Sequence, residues 1–352
     1  MRRKIGIIGA GFIVDGCHLP AYRQAGYTIH GVASRHKESA QKLADKYAIT
    51  NVYNTWQDLV ADPEIEILDI AFPPDQQLAV IQEAAKHSDH IKGILAQKPL
   101  AMNLPAAKDM VHIAEDAGIA LAVNSNMRYD QSIRCLKTLI DEGILGTPVI
   151  ATIEMRAIPD WQDFLQEYDR IELLNMGIHH IDTFRHLFGT PEKITAIARP
   201  DPRTKFPHID GITQYSFQYS NGLLATSLDD VWAGPVGEIA DSTLIRWRVE
   251  GLEGVAEGTI GWHRPVDTPS TIRFTHKGVQ PRRWECLEWD GLWFPDAFQS
   301  TMGQLMVALE NGHEPDISGR DNLETLACVE ACYQSIKYER TILVDTILNE
   351  TK

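Results

Sequence analysis

Lys4-Ile5-Gly6-Ile7-Ile8-Gly9-Ala10-Gly11-Phe12-Ile13-Val14 is an apolar, strand-like run that passes directly into a Gly-x-Gly turn. Glycines there let the backbone turn tightly and approach a pyrophosphate, whose charge then faces the N–H groups that open the next helix. Gly9, Gly11, Phe12 and Ile13 are therefore candidates for a dinucleotide site. Val14 stands where a third glycine is usual, which predicts looser packing of that helix on its strand. One helix later, a second strand-like run from Tyr27 to Ala33 ends in Ser34-Arg35-His36-Lys37, where such folds read the adenosine ribose. An NAD site places a carboxylate at this point, whereas the hydroxyl of Ser34 and the guanidinium of Arg35 suit a 2′-phosphate. NADP is the expected cofactor and NAD the alternative. The competing structural role for Ser34 and Arg35 is to cap the helix that begins near His36.

Outward from this stretch, strand-like runs at Ile5 to Ile8, Thr28 to Ala33, Ile67 to Ala71, Gly93 to Ala96 and Ala120 to Val123 alternate with amphipathic stretches such as Gln77 to Lys86 and Ala106 to Asp116. That rhythm predicts an α/β fold, a doubly wound parallel sheet of the Rossmann kind with ligands at the carboxyl ends of its strands. Gly11, Ser34, Phe72-Pro73-Pro74, Gln97-Lys98-Pro99 and Asn124 all fall at such ends. After a helix from Gln131 to Asp141 the pattern changes to successive strand-like segments near 149–156, 194–198, 213–219, 223–228, 244–251 and 271–276. These predict a C-terminal α+β domain built on a large, open, mainly antiparallel sheet. A helix from Ile171 to Phe188 interrupts them, and helices return at Pro295 to Asn311 and Asn322 to Tyr338. Asp321 and Glu324 have capping-box spacing at the last of these. The expected division is a dinucleotide-binding domain over 1–125 and a substrate-binding and oligomerisation domain over 126–352.

Of the 352 residues, 33 are Lys or Arg and 48 are Asp or Glu, for a formal charge of −15. Such a balance disfavours nucleic acid and anionic membranes as partners. No apolar run is long enough to span a bilayer. Met1-Arg2-Arg3-Lys4 imitates the start of a secretion signal, but the glycines, Asp15 and the lack of a small-residue cleavage pattern mark mature protein. Five cysteines without CxxC or zinc-ribbon spacing are expected to be reduced, buried thiols in a cytoplasmic protein, with Cys328 and Cys332 packed as small apolar residues. No metal site is expected.

Two segments carry candidate chemistry. Lys98 ends a buried-looking strand, and the proline after it favours an extended exit that aims the ammonium toward ligands. In Asn175-Met176-Gly177-Ile178-His179-His180-Ile181-Asp182, helical spacing puts Asn175, His179, Asp182 and His186 on one face, while His180 points elsewhere. Several polar groups on a buried helix need partners or a task. Asp182 and His186 are read as hydrogen-bonded structural groups in preference to metal ligands. Asn126 and Arg128 are candidates either for substrate contact or for bracing the domain junction. His180 and Trp161 are further candidates for substrate contact, and the Trp284, Trp289 and Trp293 trio is read as packing.

Jointly, Gly9-x-Gly11, Pro73-Pro74-Asp75, Gln97-Lys98-Pro99, the Gly177 to Asp182 segment with Leu187-Phe188-Gly189, and Ser318-Gly319-Arg320-Asp321 resemble the Gfo/Idh/MocA family of glucose-fructose oxidoreductases, inositol dehydrogenases and their relatives. The resemblance spans nearly the whole chain. It implies a Rossmann domain, an open antiparallel sheet that pairs subunits into homodimers or homotetramers, a nicotinamide dinucleotide, and sugar or polyol substrates. It also implies Lys98 as the catalytic-site lysine and His179 as the proton acceptor. Departures are Asn175 for a frequent aspartate, Gln97 for glutamate, Gln77 for histidine and Val14 for a small residue. Oxidising a carbinol sends a hydride to nicotinamide and a proton to a base; histidine, with a reference pKa of about 6.5, suits the base, and an ammonium suits the developing alkoxide. Two other functions remain open on this scaffold: a redox-neutral sugar-processing enzyme with a retained cofactor, and a non-catalytic sensor.

Overall fold

Strand β1 (Lys4–Ile8) carries isoleucines on both faces, and Ile5, Ile7 and Ile8 expose no surface. Burial on both faces is what helices on either side of a parallel sheet impose. The computed structural model describes residues 3–156, 163–230, 244–261, 268–278 and 283–349. They form two units, Met1–Asn126 with Pro295–Leu323, and Met127–Phe294 with Glu324–Lys352.

In the first unit the chain alternates strand and helix after β1: α1 (Leu19–Ala25), β2 (Thr28–Ala33), α2 (Lys37–Tyr47), β3 (Asn51–Tyr53), α3 (Trp56–Val60), β4 (Ile67–Ile70), α4 (Gln77–Ala85), β5 (Gly93–Ala96), α5 (Leu104–Asp116) and β6 (Ala120–Val123). The sheet order is β3-β2-β1-β4-β5-β6 with every pair parallel. Strand order reverses between β1 and β4, the switch point at which such sheets bind ligands. Val14 is fully buried and opens a π-helical turn over Val14–His18 ahead of α1.

The single division expected at 125/126 is corrected by residues 295–323, which return to the first unit. Their helix packs on β5 and β6, so closely that a Cβ on Gly93 would sit 2.8 Å from Leu309. Local pattern reports that a helix exists but not which layer it covers.

The second unit begins with α6 (Gln131–Asp141), β7 (Pro148–Arg156), α7 (Ile178–Phe188), β8 (Lys193–Arg199), β9 (Ile212–Gln218) and β10 (Leu224–Asp230). It continues through β11 (Leu244–Gly251), β12 (Gly254–Ile260), β13 (Thr271–His276) and β14 (Glu285–Leu287). Then come the returning helix α8 (Ala297–Asn311), α9 (Gly319–Tyr338), β15 (Ile342–Leu343) and α10 (Val344–Asn349). Among the described residues one sheet runs β14-β13-β12-β11-β7-β10-β9-β8-β15. All its pairs are antiparallel except β7 with β10, in which Ile150 lies opposite Leu224. Side chains alternate: Ala151, Ile153 and Met155 of β7 are buried, and Ile150 and Thr152 are exposed. Strand β12 escaped the sequence pattern because its glycines weaken the apolar alternation.

Two local expectations are corrected. The helix expected from Ile171 opens with a π-helical turn over Leu173–Gly177, and α7 follows. Asp321 does not cap α9: its N–H donates to Ser318 Oγ at 3.1 Å, so the serine three residues earlier is the cap. All five cysteines are free, but only Cys17, Cys328 and Cys332 are buried; Cys135 is half-buried, and Cys286 is exposed on β14. No helix among the described residues is long and apolar enough to cross a membrane.

Candidate active site

Gly9 has φ +128°, and a Cβ there would lie 2.7 Å from the Ala71 carbonyl oxygen, so the turn after β1 excludes other residues. Gly11 differs, since a Cβ on it would meet nothing within 4 Å. The protein itself does not require glycine at 11; the space beside that backbone is open to a ligand. The Gly11 carbonyl accepts from Val14 N and Asp15 N, both at 3.1 Å, so the helix starts here and its first amides, from Phe12 onward, face the turn. Phe12 is exposed and Ile13 half-buried. This cradle fits the pyrophosphate of a dinucleotide.

Ser34 is half-buried and Arg35 exposed, one and two residues past β2. Residue His36 is the N-cap of α2 with no side-chain cap bond, so neither Ser34 nor Arg35 is used as a helix cap. Pro73 is half-buried and starts the turn Pro74–Gln76 after β4.

Past β5, the segment Gln97 to Leu100 is fixed by one buried side chain. Gln77 Nε2 donates to the carbonyls of Gln97, Pro99 and Leu100 at 2.9, 3.0 and 3.2 Å, and its Oε1 accepts from Gln97 N at 2.8 Å. Gln97 in turn accepts from Lys98 N at 3.1 Å. The Lys98–Pro99 peptide is cis. Lys98 keeps some exposed surface, yet its surroundings are dense enough that loss of hydration lowers the ammonium to about 7. A second buried network lies under the same sheet ends: His18 Nδ1 is 2.6 Å from Asp69 on β4, and its Nε2 is 3.3 Å from Asn124 Nδ2.

In the second unit His179 lies on α7 with 3% of its surface exposed, its ring edge-on to Trp293 at 5.5 Å between centroids. Trp293 is fully buried. Asn175 is half-buried; its N–H donates to the Ile171 carbonyl at 3.0 Å with α-helical spacing, and the π-helical turn Leu173–Gly177 then widens the path from it toward His179. Position of α7 is held by Arg128, whose Nε and Nη2 donate to the two oxygens of Asp182, both at 2.7 Å. Thr325 Oγ1 also donates to Asp182 at 3.0 Å. Asp182 is thus a hydrogen-bonded structural group.

Arg128 itself is buried, with its bidentate edge on Asp182, the pairing a bracing role requires. The His180 side chain is likewise paired. It is fully buried, one residue and therefore about 100° round the helix from His179, with Nδ1 2.9 Å from Asp229 Oδ1. Tyr215 and Ser227 complete the shell of Asp229, donating at 3.1 and 2.8 Å. Nearby Glu172 is pushed well above the usual carboxylate range by burial and then by the Asp229 and Asp210 carboxylates. Asn126 is buried in the first unit, and Trp161 lies outside the described residues. The sequence singled out neither the Gln77 anchor nor the Trp293 contact with His179. Gln77 was visible only as a departure from histidine, and Trp293 only as one of three tryptophans.

Comparison with known proteins decides what this arrangement belongs to. The model described as "Oxidoreductase family, NAD-binding Rossmann fold" matches residues 3–125, and the "GFO/IDH/MocA C-terminal domain" matches residues 133–274. The chain belongs to the Gfo/Idh/MocA family. It is an NAD(P)-binding oxidoreductase of that family. Among relatives, D-apiose dehydrogenase from Rhizobium rhizogenes is 29% identical over 353 residues, covering 98% of each chain. The 1,5-anhydro-D-fructose reductase of Ensifer adhaerens is 24% identical over 333 residues, covering 92% of each. An oxidoreductase from Agrobacterium radiobacter, solved in complex with NAD+, L-tartaric acid and magnesium, shares the fold with a TM-score of 0.85 at 24% identity, covering 99% of this chain and 100% of that one. Lys98 lies in the first unit and His179 in the second.

Proposed function

We propose that this protein transfers a hydride between a nicotinamide dinucleotide and a carbinol or carbonyl carbon of a small sugar, polyol or sugar derivative. The observation that carries the reading is the anchored Lys98, held past β5 by Gln77 with its ammonium lowered to about 7. The names of the apiose dehydrogenase and anhydrofructose reductase relatives support the sugar class.

When bound, the dinucleotide supplies the hydride acceptor or donor. The chain's own residues manage the proton and the charge. His179 is the group suited to take the hydroxyl proton as the substrate C–H bond breaks and the C=O bond forms, and the Lys98 ammonium is a hydrogen-bond donor suited to developing alkoxide charge. Trp293 fixes the plane of the His179 ring. Asn175 supplies an uncharged polar group in the turn before His179, so it adds no charge that would raise the basicity of the imidazole.

NADP is the preferred dinucleotide in this reading, supported by the exposed Arg35 and by the absence of any side-chain cap on α2. Assembly as a homodimer or homotetramer is supported by the outward face of the second sheet, where exposed Ile150, Leu224 and Ile197 lie among charged pairs such as Arg246 with Glu154. Five free thiols support a reducing, cytoplasmic setting.

The test is a steady-state assay of nicotinamide absorbance with NADP and NAD against a panel of pentoses, anhydrosugars and inositols. Net, substrate-dependent turnover of free cofactor is expected. Product formation without net cofactor turnover indicates the redox-neutral enzyme instead.

A further inference from the structure

A turn of the first unit, apart from every residue assigned above, gathers three side chains of metal-ligand type. His87, Asp89 and His90 each place a ligand atom within 4.8 Å of the others; both histidines are half-buried and Asp89 is exposed. The chain leaves α4 in a helical turn, with His90 N and Ile91 N donating to the His87 carbonyl at 3.2 and 2.9 Å. His87 and His90 therefore stack at i and i+3. Their ring centroids are 5.5 Å apart. Two imidazoles sharing a tetrahedral ion with metal–nitrogen bonds of about 2 Å have centroids ~5 Å apart.

His90 is already oriented as a ligand. Its Nδ1 lies 3.1 Å from the Ile65 carbonyl oxygen, where it donates its N–H and keeps the lone pair on Nε2. An outer carbonyl that fixes tautomer and ring plane in this way is the usual companion of a zinc-bound histidine. Glu83 Oε1 is 3.6 Å from His87 Nε2, a further carboxylate beside the turn. The two neighbouring cations are engaged elsewhere, Lys86 with Glu83 at 2.7 Å and Lys92 with the Ser88 carbonyl at 2.8 Å.

We propose that His87, Asp89 and His90 bind one divalent ion of the zinc class. Two imidazoles and a carboxylate suit Zn2+, with Co2+ or Ni2+ able to replace it; Mg2+ and Ca2+ favour all-oxygen sets. The turn joins α4 to the amino end of β5, whereas Gly11, Ser34 and Lys98 follow the carboxyl ends of their strands. The ion takes no part in hydride transfer. It clips the α4–β5 turn, and through His90 it tightens the hold on Ile65 before β4.

The experiment uses tag-free, chelator-treated protein titrated with Zn2+ by calorimetry and with Co2+ by visible absorption. One equivalent is expected in the wild type, and its loss in the His87→Ala/His90→Ala variant. Asp89→Asn, a change at an exposed side chain that leaves the fold intact, should bind at least about tenfold more weakly. Turnover of cofactor should be unchanged in both variants. Unaltered zinc stoichiometry and affinity in Asp89→Asn and in the double variant, or no binding by the wild type, overturns the proposal.

Discussion

The carboxamide of Gln77 and the peptide of Gln97 form a closed pair: Gln77 Oε1 accepts from Gln97 N at 2.8 Å, and Gln77 Nε2 donates to Gln97 O at 2.9 Å. The same Nε2 reaches the Pro99 and Leu100 carbonyls, so one side chain on α4 sets the path of the backbone on both sides of Lys98. Gln77→Ala leaves these buried groups unpaired and should cost about 1–3 kcal/mol of stability. Turnover should fall by more than dinucleotide affinity does. Gln77→His, which restores one donor and one acceptor, should recover part of kcat. Equal kcat in wild type, Gln77→His and Gln77→Ala, measured alongside thermal unfolding, would remove Gln77 from the positioning of Lys98.

Arg128 and Asp182 form a buried bidentate pair within the second unit. Removing the guanidinium strands a buried carboxylate, so Arg128→Ala should destabilise the protein by about 3–5 kcal/mol. Arg128→Lys should restore little, since an ammonium cannot match both oxygens. A raised KM for substrate with unchanged unfolding temperature in Arg128→Ala would return the residue to a substrate role.

How far the sequence reached depended on whether a feature is local. Alternating strands and helices, the Gly9 and Gly11 turn and the ends of β2, β4 and β5 were all readable, because period and turn chemistry are written in adjacent residues. Pairing partners are not. Nothing near Arg128 announces Asp182, and nothing near His180 announces Asp229, so these buried pairings were not readable. The return of Pro295–Leu323 to the first unit and the π-helical turns at Val14–His18 and Leu173–Gly177 depend on tertiary packing in the same way. His87 and His90 were passed over because helical stacking across the end of α4 brings them together, not a recognised spacing motif.

Lys98 should impose a basic limb on kcat/KM for oxidation. Its ammonium is lowered from 10.5 to about 7 by desolvation, so the charged form is fully present well below that pH in the free enzyme and is lost as pH rises through it. Lys98→Arg keeps a charge throughout and should lack this limb, at a lower absolute rate. The linked stability change has the opposite direction. Between about 7 and 10.5 the unfolded chain binds the proton and the folded one does not, so this group's contribution to stability rises with pH across that window. A basic limb that persists unshifted in Lys98→Arg assigns it to another group.

Arg35, exposed past β2, should decide between dinucleotides. A charge-assisted bond to a 2′-phosphate gives about tenfold or more in affinity, so Arg35→Ala should weaken NADP by that factor and leave NAD nearly unchanged. Direct titration checks it. Equal or tighter binding of NAD by the wild type contradicts the NADP assignment.

The most direct test of the central claim is single-turnover hydride transfer in Lys98→Ala and His179→Ala, each shown to be folded and to bind the dinucleotide. Both groups act mainly in the transition state on this account, so each variant should lose at least about a hundredfold in rate with dinucleotide affinity nearly intact. A folded His179→Ala or Lys98→Ala protein that transfers hydride at close to the wild-type rate would contradict it.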